Sequence, residues 1–168
     1  MKHRARQLAQ AAIIAALYCV LTHFQNILLP GSATWAIQLR LSEALCILAF
    51  FSPIAPMGLA VGCLLFNLTF AAALPLDFLL GTLATYLSGK AMWLSRNLTV
   101  IGLPLAGLFM PALFNALLVG WELAVYIGGG FWMNALYVAV GEIIVLLTLG
   151  TGLYLAMKKR HLNIRLFS

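Results

Sequence analysis

Between Leu8 and Met157 the chain has no polar stretch long enough to fold in water. Apolar runs cover residues 8–29, 36–52, 56–73, 77–95, 102–127 and 131–157. The breaks have physical causes. Pro30-Gly31-Ser32 ends the first run, Ser52-Pro53 with Pro56 turns the second into the third, Leu74-Pro75 opens the fourth, and Gly128-Gly129-Gly130 separates the last two. A spanning helix takes about 20 apolar residues, so 168 residues hold six such helices with little left for a soluble domain. At 64% hydrophobic residues the chain lies outside the range of water-soluble folds. The expected architecture is one all-α integral membrane domain over 1–168, a bundle of six transmembrane helices. Its second span is short for a bilayer and is expected to be shielded by its neighbours or tilted. The basic N-terminal segment followed by an apolar run looks like a signal peptide. That run continues to Leu29 without a small-residue cleavage site, so it is expected to be a retained first helix.

Short basic loops stay on the cytoplasmic side of a membrane. Lys2, Arg4 and Arg6 precede the first run, Lys90 and Arg96 flank the turn after the fourth, and Lys158, Lys159, Arg160 and Arg165 follow the sixth. Of the ten basic residues only Arg40 falls at the opposite face. Both termini are therefore expected in the cytoplasm, and the net charge of +6 reports topology rather than nucleic-acid binding. Cys19, Cys46 and Cys63 each sit alone in an apolar stretch with no histidine at metal-ligand spacing, so they read as packing residues and no metal or cofactor is implied.

The chain has four acidic residues, Glu43, Asp77, Glu122 and Glu142, and each lies in or at the edge of a span. A charge at the bilayer centre costs about 2.5–3.5 kcal/mol on insertion scales, so such acids face a polar cavity, a cation or a proton path. Counted inward from the external ends, Glu122 is about five residues deep, Glu43 about seven and Glu142 about eleven, with Asp77 at the mouth of its helix. Asn67 and Asn134 fall at similar depths and Asn115 nearer the middle, so several helices can direct polar groups into one outward-facing pocket.

Structural alternatives stand beside this reading. Asp77, after Pro75, can cap a helix start, and Glu43 can pair with Arg40 one turn away. Asn67 and Asn115 can serve as hydrogen bonds between helices. Trp121 and Trp132 can belong to an interfacial belt or cover a flat heterocycle, whereas His23 reads as interfacial. Glu122 and Glu142 have no basic neighbour in their own helices and are the strongest ligand candidates. On the first helix, Ala11, Ala12, Ala15 and Ala16 form small-xxx-small stripes, suited either to internal packing or to docking on another subunit.

Four stretches, together with the alanine stripe, resemble the energy-coupling factor (ECF) transporter S components of the queuosine-precursor (QueT) type. They are Ile37-Gln-Leu-Arg-Leu-Ser-Glu-Ala-Leu45, Asp77-Phe-Leu-Leu-Gly-Thr-Leu-Ala-Thr85, Asn115-Ala-Leu-Leu-Val-Gly-Trp-Glu-Leu123 and Val140-Gly-Glu-Ile143, and each contains one of the four acids. The resemblance implies a multi-pass subunit of the bacterial plasma membrane that captures its substrate outside. It also implies partners, one transmembrane scaffold docking on the alanine stripe and two ATPases. The chain itself has no GxxxxGK[ST] phosphate loop and no catalytic motif, so it is expected not to be an enzyme.

A 7-deazaguanine presents a ring N–H beside an exocyclic amine, two parallel donors that one carboxylate can accept, and an aminomethyl arm adds a cation for a second. The expected substrate site is Arg40, Glu43, Asn67, Asp77, Asn115, Trp121, Glu122, Trp132 and Glu142. In that site Glu122 or Glu142 reads the guanine-like edge, Arg40 or an asparagine serves the ring carbonyl, and an indole covers the ring. A stand-alone cation- or proton-coupled carrier is the competing expectation, since it too would use intramembrane acids.

Overall fold

The computed structural model describes residues 2–30, 32, 39–70 and 73–162. Outside them lie Gly31, the expected start of the second span with Ile37 and Gln38, residues 71–72 of the third, and Arg165. Helix α1 (Lys2–Leu28) is followed by a 3₁₀ helix (Leu41–Phe50), α2 (Ala55–Thr69) and α3 (Asp77–Ser95). The single turn α4 (Leu105–Leu108) leads into α5 (Met110–Tyr126), and α6 (Phe131–Val145) runs through a π-helical turn (Leu146–Gly150) into α7 (Thr151–Lys159). No β-strand occurs among the described residues.

The punctuation acts where the sequence places it. Pro56 and Pro111 stand in the first turns of α2 and α5, where a missing N–H costs nothing. Pro111 also cannot donate to Gly107 four residues back, which separates α4 from α5. Gly128, Gly129 and Gly130 have φ of 95°, 82° and 79°, a run of left-handed backbone open to glycine alone, and they reverse the chain between α5 and α6.

Three segments, Arg4–Leu28, Leu105–Tyr126 and Phe131–Lys159, are long and apolar enough to cross a bilayer. Their outward faces carry Ile13, Val20, Phe24, Ile27, Leu117, Val125, Leu136 and Ile144, all exposed. An apolar surface of this extent suits lipid, not water.

The described part of the second expected span, 36–52, contains a ten-residue 3₁₀ helix, about 20 Å long at about 2.0 Å per residue and so shorter than the hydrocarbon core. It is packed among α1, α2, α3, α6 and α7 and all but Leu41 and Leu45 of its residues are buried, as its shortness led us to expect. Around it Tyr18, Ile47, Leu59, Cys63, Met92, Leu146 and Tyr154 form the main apolar core.

The alanine stripe divides. The Cβ that Gly58 lacks would lie 2.7 Å from the Ala11 carbonyl, and that of Gly62 2.7 Å from the Ala15 carbonyl. Glycine and alanine pairs thus let α1 and α2 approach backbone to backbone. Ala11 and Ala15 are buried there, which corrects the expectation of a four-residue contact surface, while Ala12 and Ala16 remain exposed.

Candidate functional site

α1 begins and α7 finishes at one end of the bundle; at the other end α1 and α5 finish while α3 begins. A set of buried polar side chains gathers toward this second end: Arg40, Glu43, Asn67, Asp77, Asn115, Glu122 and Glu142, none more than 6% exposed. Five helical segments supply them or the residues just before them, so the cluster exists only in the folded chain.

In the 3₁₀ helix, residues three apart eclipse, so Glu43 and Cys46 share one edge and the Cys46 thiol donates to Glu43 Oε2 at 3.0 Å. Tyr18 of α1 donates its hydroxyl to Glu43 Oε1. The next polar positions on α1 extend the contact. Thr22 donates to Ser42 Oγ at 2.7 Å, and Gln25 donates to Ser32 Oγ at 2.8 Å and to the Leu39 carbonyl, while accepting from the Leu41 N–H at 2.7 Å. Tyr18, Thr22 and Gln25, all buried, were missed at the level of sequence. Their spacing of four and three marks a polar stripe on an apolar helix, and that was the available signal. Arg40, just before the 3₁₀ helix, lies within electrostatic reach of Glu43 and Asp77.

On the opposite side Asn115 donates Nδ2 to Glu142 Oε1 at 3.0 Å, and Glu142 lies within electrostatic reach of Glu43 and Arg40. Asp77 and Glu122 share the turn before α3: the Leu74 N–H donates to Asp77 Oδ2 at 2.8 Å and the Leu76 N–H to Glu122 Oε1 at 3.1 Å. Asn67 donates Nδ2 to the Asp77 carbonyl at 2.7 Å. Asp77 therefore holds the turn that precedes its helix rather than a free N–H inside it.

Each of these side chains keeps an oxygen outside those bonds, the second carboxyl oxygen of each acid and the single amide oxygen of each asparagine. Asn67 Oδ1, Asp77 Oδ1, Asn115 Oδ1, Glu122 Oε2 and Glu142 Oε2 are buried and meet no N–H or hydroxyl donor of another residue type, while the Asp77 and Glu122 carboxyls are close enough to hydrogen-bond each other through a shared proton. A buried acceptor without a donor costs about 1–3 kcal/mol, so this cluster is a standing demand for N–H or O–H groups. The cluster opposes four carboxyl groups with the one guanidinium of Arg40, leaving it acidic.

The other expected residues are placed elsewhere. Trp132 is 80% exposed and Trp121 48%, so neither indole is among the buried side chains. Asn134 donates to the Gly128 and Gly130 carbonyls at 2.7 and 3.1 Å and fastens the glycine turn. His23 bonds Thr69 at 2.9 Å and meets Phe66 edge-on, tying α1 to α2. A groove of about 550 Å³ between α2 and α3 is lined by Met57, Val61, Leu64, Phe78, Leu83 and others; its wall is almost wholly apolar and includes none of the acids.

Residues 8–159 match the model of a family described as QueT transporter. No curated protein and no solved structure matches the chain.

Proposed function

Because this chain belongs to the QueT transporter family, it is a membrane transport protein, and we propose that it is the substrate-capturing subunit of an ECF-type importer for a 7-deazaguanine precursor of queuosine. The observation that carries this reading is the set of buried oxygens without an N–H or hydroxyl donor on Asn67, Asp77, Asn115, Glu122 and Glu142. A guanine-like base is rich in N–H donors on one flat edge. Asn115 and Glu142, already joined by one hydrogen bond, offer Asn115 Oδ1 and Glu142 Oε2 to the ring N–H and the exocyclic amine. Arg40 is positioned to serve the ring carbonyl.

In this reading six helical segments sit in the plasma membrane of a bacterium with the basic loops and both termini in the cytoplasm, which turns the acidic cluster outward. The exposed Ala12 and Ala16 face of α1 docks on a transmembrane scaffold subunit, and two ATPases supply the energy. The stand-alone carrier is kept as a second reading because four carboxyl groups face one guanidinium, an excess that a coupling cation or proton would also balance.

The test is equilibrium binding of the detergent-purified protein to queuine and its 7-deazaguanine precursors, with guanine and thiamine as controls. Selective binding of a deazaguanine is expected, and Glu142→Gln, which replaces an acceptor oxygen by a donor, should weaken it about tenfold or more. A folded, ligand-free protein that binds none of them would remove the substrate assignment. Uptake in vesicles that follows an ion gradient without ATPases would favour the carrier.

A further inference from the structure

The groove between α2 and α3 has a direction. Its wall on α3 is built from Phe78, Leu79, Thr82, Leu83 and Tyr86, positions three and four apart that share one helix face. That face continues past the groove, since Lys90 follows Tyr86 by four residues and Trp93 follows Lys90 by three. On α2 the lining begins at Met57, the third residue of that helix. Gly89 fixes the level: the Cβ it lacks would lie 3.0 Å from Pro56, so the start of α2 lies against the turn of α3 that carries Lys90. The apolar groove therefore opens beside an exposed lysine. Beyond it the Arg96 guanidinium lies 3.8 Å from the centre of the Trp93 ring and donates to the Trp93 carbonyl at 2.7 Å.

The two halves of this arrangement differ in chemistry. The groove wall is apolar apart from Thr82, whose hydroxyl can turn to the Phe78 carbonyl four residues back, as the Thr85 and Ser88 hydroxyls do toward Gly81 and Ala84. Lys90, Trp93 and Arg96 put two cations and an indole near the end of α3, where a membrane helix meets the headgroups. A lysine there reaches the phosphates while its stem stays on apolar surface. From Trp93 to Leu83 is ten residues, about 15 Å along the helix, which is half of the ~30 Å hydrocarbon core and so the depth of one leaflet. A second protein helix would cover the groove without needing the charges at its mouth, whereas an anionic lipid uses both halves. We infer that the α2–α3 groove binds an anionic phospholipid, with an acyl chain along Tyr86 and Leu83 and the phosphate at Lys90, where Arg96 adds its charge. In the orientation proposed above this lipid belongs to the cytoplasmic leaflet, whose anionic headgroups attract basic residues. The inference does not depend on the identity of the transported substrate.

The experiment is native mass spectrometry of the detergent-purified protein mixed with equimolar phosphatidylglycerol and phosphatidylcholine of identical acyl chains. Phosphatidylglycerol is expected to be retained at least about fivefold over phosphatidylcholine, and Lys90→Gln should bring that ratio close to one. Lys159→Gln, which removes an exposed charge from the end of α7, should leave the ratio unchanged. Leu83→Trp, which fills the groove, should lower retention of phosphatidylglycerol severalfold with Lys90 still in place. Equal retention of the two lipids by the unmodified protein would overturn the site. So would an unchanged ratio in Lys90→Gln, or an equal fall in Lys159→Gln, which would mean that net charge alone attracts the lipid. Full retention by a folded Leu83→Trp would place the lipid outside the groove and overturn the inference as well. The unmodified protein and the two exposed lysine variants decide the question even where Leu83→Trp does not fold.

Discussion

Tyr18 shows how a single residue sets the chemistry of a buried acid. It is fully buried, and its hydroxyl donates to Glu43. Tyr18→Phe keeps the ring and its packing but removes a donor from a carboxyl group that is itself buried. A loss of about 1–3 kcal/mol is expected, read as a lower Tm of the purified protein in detergent; an unchanged Tm would mean that Glu43 does not depend on this bond. The acids themselves were legible in the sequence, because an acidic residue in an apolar run is rare enough to count. Tyr18 was not, because tyrosine is ordinary in a membrane helix and only the partner 25 residues away gives it a role. The tryptophans err in the other direction: Trp121 adjoins Glu122 in sequence, but successive residues on a helix point about 100° apart, so the neighbour of a buried acid faces outward.

Among the elements, the α1–α2 pair is governed by backbone distance. Gly62→Ala would place a methyl 2.7 Å from the Ala15 carbonyl and 2.7 Å from Tyr18 Cβ, both fixed to α1, and is expected to cost about 1–3 kcal/mol by forcing the helices apart. Gly152→Ala, with nothing within 4 Å of the new carbon, serves as the control and should hold or raise stability by about 0.5–1 kcal/mol through helix propensity. Thermal unfolding of both variants checks the contrast, and equal effects would show that close approach does not determine this pair. The small-residue spacing was visible in the sequence, yet two stripes lie side by side on α1, and which one α2 takes depends on the rotation of the helix. The 3₁₀ and π segments were likewise invisible. Both change the rise and turn of an otherwise helical run, and Thr151 Oγ1 reaching the Leu146 carbonyl five residues back is a contact that apolar spacing does not encode.

For the molecule as a whole, the division of labour between two surfaces can be separated experimentally. The acidic cluster lies inside the bundle and the Ala12 and Ala16 face lies outside it, so a change on one should spare the other. The double substitution Ala12→Leu with Ala16→Leu is expected to leave deazaguanine affinity within about twofold, since neither side chain joins the site. If the proposed importer assembly forms, it should also abolish co-purification with a scaffold and ATPases, because large side chains prevent close helix approach. Retained co-purification would place the docking face elsewhere.

By itself the sequence determined that this chain is helical and belongs in a membrane, where its punctuation falls, and which four acids carry its cost. Those follow from local chemistry: hydropathy sets the solvent, proline and glycine set the breaks, and a buried carboxylate is expensive wherever it sits. The tertiary structure alone decided which oxygens are satisfied and which are left waiting, which alanines are hidden, and that the described part of the short second run winds as a 3₁₀ helix. Each of these depends on helix rotation and on contacts between residues far apart in the chain, and a nearly uniform apolar surface leaves almost no trace of rotation in the sequence.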